Sequence, residues 1–373
     1  MSNQSIPQVM TAVLLNGHGG FEQLEYRSDI AVPTPGPGEV LIRVGAAGIN
    51  NTDINTRIGW YSKKVTRDTN AGCACGFSET ETEDASWSGT PLHFPRIQGA
   101  DCCGQVVAVG EGVASSRIGE RVLVRTMLRS QVGFRPFECW TYGSECDGGF
   151  AQYTTAPSAD TWAVNSDWSD VELASVPCAY STAEGMLYRA GVGSKDRVLI
   201  TGASGGVGSA AVQLAKCRGA DVIALCSASK ADQVHALGAD QVVTRDADMI
   251  EALGENSVTV VIDLVGGAQW PTLLRLLRRG GRYAIAGAIA GPLVEFDLRT
   301  LYLKDLSFFG CTWQDDAVFE NVVRYIEEGR IRPFVSQSYP LSDITQAQQD
   351  FIDKRYAGKL VLVPPQENVD ENS

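Results

Sequence analysis

The stretch that decides the fold of this chain is Arg197-Val-Leu-Ile-Thr-Gly-Ala-Ser-Gly-Gly-Val-Gly208. Its apolar start predicts a buried strand, its glycines predict a tight turn, and the residues after it predict a helix. The glycine spacing is that of the dinucleotide fingerprint, with Ala203 in place of the first glycine. Free N–H groups at the helix start favour phosphate binding. The residues expected to hold a pyrophosphate are Ala203, Ser204, Gly205, Gly206, Val207 and Gly208.

Strands and helices alternate after this turn. Strands are predicted at 197–200, 222–226, 258–263, 282–286 and 307–312, and helices at 208–218, 230–237 and 272–278. Such alternation predicts an α/β domain with a doubly wound parallel sheet, a Rossmann domain. We assign residues 176–313 to it.

Both flanks of this domain have a β-rich pattern instead. Short strands are predicted at 11–15, 39–46, 104–109, 121–125 and 150–155, and after residue 313 a helix at 317–328 precedes strands at 334–339 and 359–363. Residues 1–175 and 314–373 are therefore assigned to one discontinuous domain, which makes the substrate cleft. Residues 63–90 interrupt it with few large apolar side chains; such a segment is either a surface loop or a lid.

The end of the second predicted strand indicates the cofactor. NAD-binding domains place a carboxylate there for the ribose 2′-hydroxyl. This chain has Cys226, followed by Ser227, Ser229 and Lys230. Hydroxyls and a lysine suit a 2′-phosphate, whereas an acid would repel it. NADPH is therefore the predicted cofactor, although Lys230 could also be an exposed lysine that begins a helix.

Composition excludes several classes of protein. The net charge is −13, with 44 acidic against 31 basic residues, which disfavours nucleic-acid and membrane partners. No apolar stretch approaches the roughly 18 residues of a membrane span, and residues 1–10 lack a signal-peptide pattern, so a soluble cytoplasmic enzyme is expected. The ten cysteines are expected to be reduced.

A serine hydrolase is the rival from another reaction class, because Gly202-Ala-Ser204-Gly-Gly206 also reads G-x-S-x-G. Its triad needs a histidine late in the chain. The only one of the three histidines that follows Ser204 is His235, in the next predicted helix. The hydrolase interpretation fails because the chain offers no other histidine after Ser204 as the catalytic base.

The chain resembles the medium-chain dehydrogenase/reductase superfamily from about residue 11 to residue 363. The stretches that carry the resemblance, besides the glycine turn, are Pro35-Gly-Pro-Gly-Glu-Val-Leu-Ile-Arg43, Gly104-Gln-Val-Val-Ala-Val-Gly110, Gly119-Glu-Arg-Val-Leu123, Val261-Ile-Asp-Leu-Val-Gly-Gly267 and Gly358-Lys-Leu-Val-Leu362. The resemblance implies a GroES-like catalytic domain around the Rossmann insert. It also implies that Thr182 contacts the nicotinamide and that Gly266, Gly267, Gly287 and Ala288 line its carboxamide side.

Within that family the chain is most similar to the zinc-free quinone oxidoreductases and enone reductases, through Gly48-Ile-Asn50-x-x-Asp53-x-x-x-Arg57-x-Gly59-x-Tyr61. Zinc members have a cysteine at the position of Asn50 and a histidine at that of Ala100; only Cys178 matches a third ligand. One ligand of three cannot hold a catalytic zinc. No metal is therefore expected, although Cys73, Cys75, Cys139 and Cys146 could form an irregular structural site.

Without zinc, the predicted reaction is hydride transfer from NADPH to an already polarised acceptor, a quinone or an α,β-unsaturated carbonyl compound. Asn50 and Tyr61 are the candidate donors to the developing enolate oxygen. Asp53 either acts chemically or braces the segment in a pair with Arg57. The alternatives are an alcohol dehydrogenase or carbonyl reductase with an atypical zinc site that Asp101 assists, and a regulatory protein that binds NADPH with little turnover.

Residues 306–312 read as the last strand of the Rossmann sheet, and hence as an edge. They carry two adjacent phenylalanines and no charge, which is a liability on an exposed edge. A homodimer across this edge is predicted, as the resemblance also implies. Cover by a helix or by residues 63–90 is the alternative.

Overall fold

A computed structural model describes residues 6–366 of the chain. The strands are β1 (Val9–Leu15), β2 (Leu24–Ala31), β3 (Glu39–Gly48), β4 (Arg96–Ile97), β5 (Cys103–Val109), β6 (Arg121–Val124), β7 (Met127–Leu128), β8 (Trp140–Thr141), β9 (Tyr153–Pro157), β10 (Thr161–Ala163), β11 (Arg197–Ile200), β12 (Asp221–Cys226), β13 (Gln241–Thr244), β14 (Val258–Asp263), β15 (Leu277–Ile285), β16 (Ser307–Gly310), β17 (Val335–Pro340) and β18 (Lys359–Val363). The helices are α1 (Asn51–Ile58), α2 (Asp170–Leu173), α3 (Pro177–Arg189), α4 (Gly206–Cys217), α5 (Ala231–Ala236), α6 (Met249–Leu253), α7 (Trp270–Leu276), α8 (Leu298–Leu303), α9 (Asp316–Glu327) and α10 (Ile344–Ile352).

Two compact units make up the chain. The first contains residues 6–63, 73–177 and 335–366 of the described chain, and the second contains residues 64–72 and 178–334. The second unit therefore ends one helix later than the predicted boundary at residue 313, because α9 belongs to it. Residues 64–72 of the 63–90 segment also belong to the second unit. The β-rich pattern of the neighbouring residues does not predict this assignment.

The first unit is built on a seven-stranded sheet in the order β10-β6-β5-β3-β18-β17, with β9 also paired to β3. A second sheet has the order β2-β1-β4. The central strand β3 is buried along most of its length, and β18 is bonded to it from the far end of the chain. The discontinuous β-rich domain is thus closed by its own last strand.

The second unit is a six-stranded parallel sheet in the order β13-β12-β11-β14-β15-β16. All six residues of β14 are buried, as expected for a strand covered on both faces. This order confirms the predicted doubly wound sheet. It reverses between β11 and β14, and in open α/β sheets that switch point is where ligands bind.

No helix of residues 6–366 combines the length and apolar character that crossing a membrane would need.

Candidate active site

The glycine turn of the second unit has the geometry of a phosphate cradle. Helix α4 begins at Gly206, and the preceding Gly205 offers its N–H groups no side-chain cap. A Cβ on Gly208 would lie 2.2 Å from the Gly202 carbonyl oxygen, so only glycine lets the helix approach the turn. A Cβ on Gly205 would meet only the Gly202 oxygen, at 3.5 Å, which leaves room for a ligand above the backbone. These residues fit a dinucleotide pyrophosphate.

A cationic and hydroxyl-bearing edge follows β12. Ser227 and Ser229 lie 3.3 Å apart through their hydroxyl oxygens, and Lys230 is half-buried beside them. Arg245, which sequence reasoning missed, directly follows the neighbouring strand β13, and its N–H donates to the Cys226 carbonyl at 3.0 Å. Parallel strands end at the same edge of a sheet, so Arg245 brings a second cation to the ends of β12 and β13. This set of groups fits a ribose 2′-phosphate.

Two loops at the carboxyl ends of β14 and β15 contain four of the five remaining predicted cofactor residues. Gly266 and Gly267 have positive φ angles of 65° and 69°, which favour glycine. The Ala290 N–H donates to the Val265 carbonyl at 2.9 Å, so the second loop, which includes Gly287 and Ala288, is bonded to the first. Thr182 is half-buried in α3. Their contacts with nicotinamide stay a prediction.

The first unit contains a buried polar cluster of Asn50, Asp101 and Lys359. The Lys359 ammonium donates to Asp101 Oδ2 at 2.8 Å, to Asn50 Oδ1 at 2.5 Å and to the Ile49 carbonyl at 2.8 Å. All three of its N–H groups therefore have acceptors. Lys359 is 2 % exposed and Asp101 is fully buried, so each charge depends on the other for its compensation.

This cluster fixes the orientation of the Asn50 amide. Because an ammonium can only donate and a carboxylate accepts, Asn50 Oδ1 must face Lys359, and Nδ2 must face Asp101. Nδ2 donates to Asp101 Oδ2 at 2.8 Å and to the Gly48 carbonyl at 3.3 Å. Both amide hydrogens thus have protein acceptors. Asn50 was expected to donate to an enolate oxygen, but in this geometry it braces the cluster.

Asp53 and Arg57 do not form the predicted pair. The Asp53 carboxylate accepts from the Asn50 N–H at 2.8 Å and from the Ala100 N–H at 3.2 Å. Arg57 donates to Gln348 at 3.0 Å and to the carbonyls of Gly19 and Cys73. On a helix, residues four apart share a face, but separate partners hold these two side chains. Burial raises the pKa of Asp53 to about 7 and lowers that of Arg57 to about 10.

Tyr61 follows α1 and lines a cavity of about 310 Å³ in the first unit. Its ring lies 5.1 Å from that of Trp87, between centroids. Trp87 belongs to the 63–90 segment, and its indole N–H donates to Thr52 of α1. Lys63, Asp84 and Ser86 complete the polar side of the cavity. The segment from residue 73 to 90 therefore packs on the helix that carries Asp53, and it forms a wall beside Tyr61.

The donor set of the first unit does not fit a catalytic zinc ion. The amide of Asn50 is already hydrogen-bonded through both its oxygen and its nitrogen. The Ala100 side chain has no ligand atom, and Asp101 Oδ2 already accepts two hydrogen bonds. Within residues 6–366, no three His, Cys, Asp or Glu side chains come together as potential metal ligands. Of the four cysteines considered for a structural site, Cys73 is buried and Cys75 is exposed.

Lys359 was missed as a site residue because nothing local marks it. It is 309 residues from Asn50 and 258 from Asp101, and its strand reads simply as an apolar run. A lysine at the start of a strand that is otherwise buried is the one available signal, since lysine is almost never buried without a partner.

Comparisons with known proteins agree with these two units. The sequence model of the alcohol dehydrogenase GroES-like domain matches residues 36–166, and that of the zinc-binding dehydrogenase matches residues 206–328. The chain is 29% identical to a quinone oxidoreductase of Sus scrofa, over 95% of this chain and 98% of that protein. It is 28% identical to an acryloyl-coenzyme A reductase of Metallosphaera sedula, over 95% and 99%. A solved structure of a putative alcohol dehydrogenase from Sinorhizobium meliloti is 45% identical, with a TM-score of 0.86 and coverage of 97% and 98%.

Proposed function

Because the chain belongs to the medium-chain dehydrogenase/reductase superfamily, in its quinone oxidoreductase-like branch, we propose that it reduces quinones or α,β-unsaturated carbonyl compounds with NADPH and without catalytic zinc. That it is an oxidoreductase follows from its relatives. The choice of cofactor, metal and acceptor is the proposal.

The observation that carries the proposal is the ammonium of Lys359 bonded to Asp101 and Asn50. A fixed positive charge lies beside Asn50, one of the positions where zinc relatives have a ligand, and it is bonded to the Asp101 carboxylate. Alcohols need a Lewis acid to stabilise the alkoxide, and these residues supply none. A quinone or enone is already polarised, so hydrogen-bond donors suffice for its reduction.

Each group of residues has its own role in this reaction. The glycine turn binds the pyrophosphate, and Ser227, Ser229, Lys230 and Arg245 bind the 2′-phosphate. NADPH, when bound, supplies the hydride. The Tyr61 hydroxyl, at the wall of the first unit's cavity, donates the hydrogen bond and the proton to the acceptor oxygen. Asn50, Asp101 and Lys359 hold the segment that leads into α1.

Steady-state NADPH oxidation with matched acceptors tests the proposal. A benzoquinone, an enone, an acryloyl thioester and a saturated aldehyde should be compared at equal concentration. We expect turnover of the unsaturated acceptors and little of the aldehyde. Protein purified without added zinc should contain well under one metal equivalent, and a chelator should leave the rate unchanged. A stoichiometric zinc whose removal abolishes turnover contradicts the proposal.

An alcohol dehydrogenase or carbonyl reductase is the second candidate, favoured by the 45% identity to a putative alcohol dehydrogenase. It requires alcohol oxidation with NADP⁺ that depends on added zinc. Asp101→Asn and Cys178→Ala would then each abolish metal binding, whereas under our proposal Cys178→Ala leaves quinone reduction measurable.

A further inference from the structure

Three buried side chains meet at the switch point of the second unit's sheet. Thr201 directly follows β11, Asp263 is the last residue of β14, and Tyr283 lies in β15. Strand order reverses between β11 and β14, and crevices at such a point bind the ligands of open α/β sheets. The proposed function assigns Thr201 and Tyr283 no role, and Asp263 enters only as part of a family motif.

The Asp263 carboxylate accepts hydrogen bonds from the residue after β11, from β15 and from the loop after β14. Thr201 Oγ1 donates to Asp263 Oδ1 at 2.6 Å, and the Tyr283 hydroxyl donates to Oδ2. The N–H groups of Val265 and Gly266 donate to the same carboxylate at 3.0 and 3.2 Å. Asp263 has no exposed surface. A buried carboxylate is stable only with such partners, so each donor is held in place.

Tyr283 and Thr201 are suited to this purpose. Burial and the adjacent Asp263 raise the pKa of Tyr283 well above its usual range, which keeps the hydroxyl a donor. The Tyr283 ring packs against Trp270 at 4.8 Å between centroids. The Thr201 hydroxyl also accepts from the Leu264 N–H at 2.9 Å, so it joins the turn after β11 to the loop after β14.

The loop of residues 264–267 in turn positions the loop of residues 287–290. The Ala290 N–H donates to the Val265 carbonyl at 2.9 Å. A Cβ on Gly287 would lie 2.7 Å from the Leu264 oxygen, and one on Gly267 would lie 2.7 Å from the Ala290 oxygen. The two loops are thus packed backbone to backbone, and neither can shift without the other.

We propose that Thr201, Asp263 and Tyr283 are positioning residues that hold residues 264–267 and 287–290 against the nicotinamide half of the dinucleotide. This inference rests on the proposed NADPH binding. None of the three residues belongs to the stretch 203–208 expected at the pyrophosphate or to the groups expected at the 2′-phosphate, so their loss should affect mainly the nicotinamide half of the cofactor.

Two substitutions at Thr201 test the inference. Thr201→Val keeps the shape and removes the hydroxyl, whereas Thr201→Ser keeps the hydroxyl. Affinities are measured for NADPH and for adenosine 2′,5′-bisphosphate, which lacks the nicotinamide half. For Thr201→Val we expect NADPH binding to weaken about 10-fold and the bisphosphate to stay within about 2-fold. Thr201→Ser should bind both ligands as the wild type does.

Tyr283→Phe should reproduce this selective loss, with a raised KM for NADPH and a lowered kcat. The matched control is Tyr142→Phe, which removes an equally buried hydroxyl from the first unit, where it donates to Thr154 at 2.8 Å. It should change thermal stability without changing the ratio of the two affinities. Equal weakening of both ligands, or of neither, in Thr201→Val and Tyr283→Phe would overturn the positioning role. A wild type that binds neither ligand overturns the proposed function itself.

Discussion

At the scale of single residues, the proposed preference for NADPH rests on the positive charge at the ends of β12 and β13. Lys230 is half-buried, and Arg245 stands at the end of the next strand. A carboxylate in this place would repel a 2′-phosphate, and the chain has Cys226 followed by Ser227 there.

Lys230→Ala should therefore weaken NADPH binding by about 1.5–3 kcal/mol, as for a charged hydrogen bond, and barely affect NADH. KM for both cofactors in wild type and variant measures this effect. Lys195→Ala, which removes an exposed lysine just before β11 at the opposite edge of the sheet, is the control. Equal use of both cofactors by the wild type would contradict the NADPH assignment.

Asp53 predicts an unusual pH dependence of stability. Burial raises its pKa from the ordinary 3.8 to about 7, so the folded chain binds this proton more tightly than the unfolded chain. Its effect on the free energy of unfolding is therefore most favourable at low pH and is lost as the pH rises through 7. Relative to Asp53→Asn, the wild type should lose about 3 kcal/mol between about pH 5 and about pH 8.

Urea unfolding of both proteins at the two pH values provides the measurement. Only the change with pH is compared, because an asparagine amide beside two backbone N–H groups alters stability at every pH. Parallel pH profiles would show that Asp53 is not a buried acid with a raised pKa.

Local patterns and long-range contacts were not equally predictable for these residues. The glycine turn is contiguous, so its spacing carries its geometry. The partners of Asn50 are Lys359, at the start of β18, and Asp101. Both lie far from Asn50 in the sequence, so no local pattern predicts these contacts. For that reason the sequence identified Asn50 but assigned its amide to a substrate rather than to Lys359.

At the scale of elements, the sequence predicted best where the strands are buried on both faces. Strands β11, β14 and β18 have the predicted limits, because continuous apolar runs mark them. Strand β2 was missed, since its largely exposed residues include Glu25, Arg27 and Asp29. Helix α3 was missed as well: nearly all its sides are buried, so it lacks an amphipathic period.

The 63–90 segment is the element whose role can be tested directly. Trp87→Ala removes the aromatic wall beside Tyr61, and we expect KM for an aromatic quinone to rise about 3- to 10-fold from lost stacking. KM for a small enone should change less, and Trp87→Phe should restore most of the loss. Thr82→Ala, at an exposed position of the same segment, is the control. An unchanged KM for both acceptors would exclude a substrate contact.

At the scale of the whole molecule, β16 is the last strand of its sheet in the described chain. Phe308 packs on Trp270 and Tyr283, while Phe309 is half-buried. The preceding helix α8 exposes Leu298, Tyr302 and Leu303 at 66%, 62% and 55%. An exposed strand edge beside such an apolar surface favours association with a second copy.

We therefore propose a homodimer across this edge, with a mass twice the 40.0 kDa of one chain. Light scattering measures it. Phe309→Lys should shift the equilibrium to monomers, because it places a charge in the interface. Ile118→Lys, at an exposed apolar position in the first unit, should not. A wild type that stays monomeric at micromolar concentration rules the dimer out.

The ion pair between Asp101 and Lys359 also sets an order of events during synthesis. The ribosome releases Asp101 258 residues before its cation, and the first unit cannot close its main sheet until β18 has emerged. The second unit lies wholly upstream of that strand, so it can fold while the chain is still growing. A fragment that ends at residue 340, once released from the ribosome, should therefore contain a protease-resistant second unit and a protease-sensitive first unit. A chain cut short before Lys359 would lack both the cation that compensates Asp101 and the strand that completes the first unit, so it would be a substrate for quality control rather than a partly active enzyme.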